Sequence, residues 1–357
     1  MPNELDPDVQ RLITELASLA GEERRAFPDL TPREAREWFV MLRRIMSGPV
    51  TAPPASDIAD GIVEYDRHAV PVRWYNPAAD GMDADRVIVY IHGGGWTVGD
   101  LDSGDQFART LARSLDGTVV SVGYRLAPEH PFPAAFNDCA AVVRSVRDAH
   151  PGARLAVAGD SAGGNLAAAI AARGRTDERL RVEAQLLVYP ALDPRQQHAS
   201  HEQFADGYLL TRSDMEFYWD NYLPAEADRS DPRAAPATIT DFTGLPPTVV
   251  ATAGFDPLHD EGREYAQLLI AANVPTVYLP FPRLTHGFLD MAGRVPAAQR
   301  AADTVVQSLN LLLPPGACPP PATDRGPARD YRESQAQGAQ GLACPGCGAY
   351  RPGRGHP

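Results

Sequence analysis

The sequence predicts an α/β fold with a mostly parallel central sheet, helices on both faces and a helical cap. Three observations carry that expectation. From about residue 60 to 313, short apolar runs alternate with helix-like stretches, the signature of strands joined by crossover helices. The runs are unbroken rather than alternating, as strands buried on both faces require. Residues 195–235 interrupt the alternation with a segment rich in His, Tyr, Trp, Asp and Pro, and connections of that length in compact domains are usually lids or binding loops.

Taken in order, residues 1–55 read as a cap segment of two amphipathic helices. Asp6-Pro7 is a helix start, after which Leu12, Ile13, Leu16 and Leu19 share one face. Thr31-Pro32 repeats the signal ahead of Trp38, Phe39, Leu42 and Ile45. Two short helices cannot bury such faces alone, so they must pack on something later in the chain. Residues 56–194 and 236–313 then form the core. Strands are expected at Val87 to Ile91, Thr118 to Val122, Leu155 to Ala158, Leu186 to Tyr189 and Thr248 to Ala251, with Pro71 to Tyr75 as an antiparallel edge. Helices are expected at Phe107 to Leu115, Ala134 to Arg147, Ala162 to Arg173 and Glu261 to Ala272. After 313 the composition turns to Pro, Gly, Ala and Arg, which cannot repay ordering entropy, so 314–357 reads as a disordered tail.

Hydrophobic residues at 44% and charged residues at 22% are ordinary globular usage. With 33 basic against 46 acidic groups the net charge is −13, which leaves no basic stripe for nucleic acid. Pro and acids fill the start where a secretory signal needs a basic end and an apolar run, and no window is long enough to span a bilayer. A cytoplasmic protein with neither nucleic-acid nor membrane partners is expected. Four cysteines in a chain this long do not make a disulfide framework. Cys139 reads as a small core residue. Cys344 and Cys347 form a CxxC, yet only Cys318 and His356 lie nearby, and a structural zinc site wants four well-spaced ligands. No metal is expected.

The chemistry is carried by motifs placed at strand ends. Gly159-Asp160-Ser161-Ala162-Gly163 fits GxSxG, directly after one expected strand and before one expected helix. That context is what a nucleophile elbow needs: the turn forces the Ser backbone into a strained region, and the glycines clear neighbouring backbone. His92-Gly93-Gly94-Gly95 follows the strand ending at Ile91 and matches the HGGG loop of an oxyanion hole. The N–H groups of Gly93, Gly94 or Gly95, joined by that of Ala162, are the candidate donors to a tetrahedral intermediate. A phosphate-cradling loop is the rival reading, but neither GxGxxG nor GK[ST] is present. An acid and then a base should follow the Ser, each at a later strand end. His286 comes after the apolar stretch Val277 to Phe281, and Asp256 after the strand ending near Ala251. His259 and Asp260 are the nearest competitors, but they fall in the turn that opens a helix.

These residues resemble the hormone-sensitive-lipase-like branch of bacterial esterases within the α/β-hydrolases. The resemblance rests on HGGGW at 92–96, on Tyr124-Arg-Leu-Ala-Pro-Glu-His-Pro-Phe-Pro-Ala-Ala135, on GDSAGG at 159–164, on Asp256-Pro-Leu258 with Asp260-Glu-Gly262, and on His286-Gly-Phe288. It spans roughly residues 5–313. It implies a cap from the N-terminus and the 195–235 insertion, no metal or organic cofactor, and short- to medium-chain acyl esters as substrates. It also implies a triad of Ser161, Asp256 and His286, and a homodimer in many relatives. Pro282-Arg283 stand where the pattern usually has an acidic or small residue, which implies an altered pocket.

Trp38, Phe39, Tyr189, Phe204, Tyr208 and Trp219 are candidate pocket aromatics, although amphipathic helices also carry aromatics for packing. The same triad would serve an amidase, a lactonase or a deacetylase. A non-catalytic ligand binder, as the plant gibberellin receptors are, lacks a working base, whereas His286 is present here.

Overall fold

The computed structural model describes residues 4–20, 27–47, 58–75, 85–115 and 117–314. The expected tail, with Cys318, Cys344 and Cys347, lies outside the described residues.

The unbroken apolar runs are the centre of an eight-stranded sheet. Strand β1 spans Ile58–Tyr65, β2 His68–Tyr75, β3 Arg86–Ile91, β4 Thr118–Val122, β5 Arg154–Asp160, β6 Ala184–Val188, β7 Thr248–Phe255 and β8 Thr276–Thr285. Their order is β1-β2-β4-β3-β5-β6-β7-β8. The pairs from β4 to β8 are parallel, and β1 and β2 add an antiparallel edge. Every residue of β3, β4 and β6 is buried, because helices cover both faces.

Those helices are α1 (Pro7–Ala20), α2 (Pro32–Ser47), α3 (Asp105–Leu115), α4 (Ala134–Ala149), α5 (Ala162–Arg173), α6 (Ala199–Gln203), α7 (Arg212–Tyr222), α8 (His259–Ala271) and α9 (Pro296–Leu312). One core cluster joins one sheet face to α4, α5 and α8, through residues such as Val143, Leu166 and Leu269. The other joins the opposite face to α3 and α9 through Leu111, Val305 and Leu309, and takes in Val9, Leu12 and Leu16 of α1. The N-terminal apolar face is thus buried against later chain, as its periodicity requires.

Strands β1 and β8 depart from expectation for physical reasons. Only Val63 of β1 is buried, so the strand has no apolar run to announce it, and it is held by pairing with β2 across a turn in which Asp66 takes a φ of 55°. Strand β8 runs four residues past Phe281 through Pro282; an edge strand can accept proline because one side of its backbone has no partner to lose. The 195–235 insertion holds α6 and α7, the latter begun by a reciprocal capping box between Thr211 and Asp214.

Candidate active site

The elbow forms because two backbones meet where side chains are missing. Strand β5 ends at Asp160, Ser161 takes φ 54° and ψ −120°, and α5 starts at Ala162. Such a conformation costs on the order of 1–3 kcal/mol and survives only where its surroundings fix it. Here the Ser161 N–H donates to the Val188 carbonyl of β6 (2.9 Å), and the Ser161 carbonyl accepts from Asn165 and Ala191. A β-carbon on Gly159 would overlap the Gly163 carbonyl, and one on Gly163 would overlap that of Ile91. The side chain of Ser161 is thereby held at the carboxyl ends of the strands, at the head of α5.

His286 follows β8 directly and points its ring at that hydroxyl. Its Nε2 is 3.0 Å from Ser161 Oγ, and its Nδ1 is 2.8 Å from Asp256 Oδ2. Asp256 follows β7 and is fully buried, and its Oδ1 accepts from the Leu258 N–H at 2.9 Å. With both carboxylate oxygens engaged, the acid has one orientation, and the imidazole proton belongs on Nδ1, leaving Nε2 as acceptor for the Ser hydroxyl. The competitors are occupied elsewhere: His259 bonds the Ala253 carbonyl, and Asp260 accepts from Ser200 and pairs with Arg263.

The HGGG loop lies across from this triad. Gly94 and Gly95 line the pocket, Gly95 with φ 55° and its missing β-carbon facing the Tyr218 ring. The Gly93 N–H is not open toward the pocket: it is taken by Asp160 Oδ1 at 3.0 Å, which also accepts from the Tyr90 hydroxyl at 2.7 Å. Asp160 therefore ties the elbow to the loop, and the candidate donors narrow to Gly94, Gly95 and Ala162, the last at the positive end of α5. His92 is buried and stacked on Tyr124, and burial pulls its pKa down, so it sits neutral with Nδ1 against the Gly93 carbonyl. The Tyr124 to Ala135 segment buttresses the loop. The Tyr124 hydroxyl donates to the His92 carbonyl, Ala127 N–H donates to that of Trp96, and Arg36 of α2 reaches Thr97, Ala127 and Glu129.

A sequence model of the alpha/beta hydrolase fold matches residues 88–290. The chain belongs to the α/β-hydrolase family. The carboxylic ester hydrolase LipN of Mycobacterium tuberculosis is 36% identical over 303 residues, which are 81% of this chain and 78% of LipN. The carboxylesterase NlhH of the same species is 39% identical over 282 residues, 76% of this chain and 88% of NlhH. Among solved structures, the ester-hydrolase EH1AB1 from the metagenome of Lake Arreo, complexed with a derivative of bipyridine phosphonate, superposes with a TM-score of 0.80. It is 35% identical, over 86% of this chain and 98% of that one. Within the family, the chain is a serine carboxylic ester hydrolase of the hormone-sensitive-lipase-like bacterial group.

The pocket of this hydrolase differs from the aromatic lining expected. Tyr189 does line it, its ring centroid 4.5 Å from that of His286 and its hydroxyl buried without a hydrogen-bond partner among the described residues. Phe39 lines it too. Trp38, Phe204, Tyr208 and Trp219 do not. Trp38 directly precedes Phe39 on α2 and is not among the residues of that helix that line the pocket, which are Phe39, Leu42 and Arg43. Trp219 packs against Trp96 in a tilted arrangement, with ring centroids 4.3 Å apart, and is core. Phe204 and Tyr208 pack on Phe255, the residue before Asp256, and the Tyr208 carbonyl accepts from Thr285, the residue before His286. They hold the segments that carry Asp256 and His286 from behind. Pro282-Arg283 also lie away from the pocket, where Arg283 bonds the Glu4 carbonyl and receives the Asp6 N–H.

Sequence reasoning missed Arg43 and Asp290. Both line the pocket and pair with each other, their side chains only 9% and 12% exposed. Burial pushes Asp290 up to about 6, opposed by Arg43 and reinforced by Asp160. Their signal was present: Arg43 is one turn beyond Phe39 on an otherwise apolar stripe, and Asp290 is four residues beyond His286. Among the described residues, no helix is long and apolar enough to cross a membrane, and no cluster of His, Cys, Asp and Glu could hold a metal ion.

Proposed function

We propose that Ser161 is the nucleophile of this hydrolase, His286 its base and Asp256 the carboxylate that orients and steadies the imidazole. The observation that carries the reading is the single imidazole touching both other groups, 3.0 Å on one side and 2.8 Å on the other. His286 takes the Ser161 proton as Oγ attacks the ester carbonyl. The negative oxygen is met by the N–H groups of Gly94, Gly95 and Ala162, and the alcohol leaves with the proton from His286. Water then cleaves the acyl-enzyme by the same steps. Strand β5 and α5 supply the rigidity that keeps these donors aimed, and a fixed donor costs no reorganisation when charge develops.

The substrates are small. The pocket holds about 90 Å³ and is roofed by residues from the N-terminal region and from the insertion, Phe39 and Leu42 on one side and Leu209, Leu210, Met215 and Tyr218 on the other. The two segments act together as a cap, and the space under it suits short acyl esters. Ser161→Ala tests the assignment. Turnover of p-nitrophenyl acetate or butyrate should fall to background in a variant that folds as the parent does, and retained turnover removes Ser161 from the mechanism.

A further inference from the structure

Behind the catalytic pocket lies a second, larger cavity of about 480 Å³, bordered by Val40, Arg44 and Ser47 of α2 and by the Asp100 to Gln106 segment. Among the described residues the two cavities share Arg43 and Asp290 and no other side chain. Arg43 comes from α2, and Asp290 from the single-turn 3₁₀ helix Phe288–Met291 just past His286. Their ion pair therefore spans the gap between the N-terminal segment and the loop of the base.

The geometry points to this pair as a specificity-determining wall, which ends the catalytic pocket and sets the length of the ester substituent that can lie in it. The inference rests on Ser161 being the nucleophile of that pocket. A guanidinium stem and a short carboxylate fill the space where a straight chain would otherwise continue, and neither can be pushed aside cheaply. Separating them leaves a charge nearly out of water without its partner, an arrangement far costlier than swinging an apolar side chain. The Asp160 carboxylate also acts on Arg43, so the guanidinium is held by a second negative charge besides that of Asp290. The neighbouring cavity is larger than the pocket itself, so removal of the wall opens ready-made room rather than creating a void that must collapse.

The test uses two ester series: p-nitrophenyl esters from acetate to decanoate, which vary the acyl chain, and acetates of straight-chain alcohols from ethyl to decyl. The double variant Arg43→Ala/Asp290→Ala removes both charges together, so no unpaired ion is left inside. Its ratio of kcat/KM for the eight-carbon to the two-carbon substrate should rise at least tenfold over the parent in one series, equivalent to about 1.4 kcal/mol of transition-state binding. Arg43→Met/Asp290→Leu keeps most of the volume without the charge, and because its apolar side chains can swing, its ratio should lie between those of the parent and the double-alanine variant. An unchanged ratio in both series for the folded double-alanine variant overturns the wall. The parent enzyme tests it without any substitution: kcat/KM that holds level from two to ten carbons in both series shows that nothing ends the pocket. Turnover surviving in Ser161→Ala removes the underlying reading instead, whereas a silent Ser161→Ala beside an unchanged length profile removes only the wall.

Discussion

Gly163 at the head of α5 packs so closely on Ile91 at the end of β3 that a β-carbon at 163 would overlap the Ile91 carbonyl oxygen. The two strands that carry the elbow and the oxyanion loop are neighbours in the sheet, with Ile91 paired to Gly159. A hydrogen at position 163 is what lets α5 leave the sheet at the angle that lifts Ser161. Gly163→Ala should cost on the order of 2–4 kcal/mol, because the obstructing atom is backbone and cannot rotate away. Urea unfolding measures the cost. A loss below about 0.5 kcal/mol would mean that α5 can shift freely.

Asp256→Asn keeps the size of the side chain and its place beside His286, but an amide can turn its NH₂ toward Nδ1 and favour the wrong tautomer. The rate should fall by about 10³–10⁴ with little change in unfolding midpoint. Steady-state kinetics on p-nitrophenyl butyrate reads the first, and thermal melting the second. The same substitution at Asp260, which bonds Ser200 and Arg263 and not the imidazole, should leave the rate within about tenfold.

The raised Asp290 couples stability to pH with a definite sign. Its folded value of about 6 lies above the ordinary value of 3.8, since burial disfavours the charged form more than Arg43 restores it. The folded state thus binds the proton more tightly. The stabilisation is fully present below about pH 4 and is lost as pH rises through 6. Asp290→Asn removes this dependence. The stability of the variant relative to the parent should increase by roughly 2–3 kcal/mol between pH 4 and pH 7, read from urea unfolding at both values. The attraction of Arg43 is already contained in that folded value, so the only further effect of the substitution is the exchange of a protonated acid for an amide, which adds an offset that does not vary with pH.

How far the sequence foretold this arrangement depended on whether a residue's role is local. Ser161, the glycines around it and the HGGG loop sit at strand ends, and their backbone demands are written in adjacent positions. Asp256 and His286 followed from chain order and from the strands before them. The Arg43 to Asp290 pair could not be read in that way, because it joins residues 247 apart and depends on how α2 lies over the sheet. Gly93 was placed among the oxyanion donors for a related reason: three glycines in a row look equivalent until Asp160 takes the N–H of one of them. The aromatics Phe204 and Tyr208 were read as pocket because they lie in the insertion, yet a segment of that length must also be fastened to the core, and they do the fastening at Phe255. Strand β1 was missed because an exposed edge carries no hydrophobic rhythm.

Covalent labelling bears most directly on the triad. A fluorophosphonate should add once to the folded enzyme, intact-mass and peptide analysis should place the adduct on Ser161, and His286→Ala should slow the reaction by at least 10³. An adduct on another residue, or a labelling rate at Ser161 that is indifferent to the loss of His286, would contradict the shared imidazole on which the proposed chemistry turns.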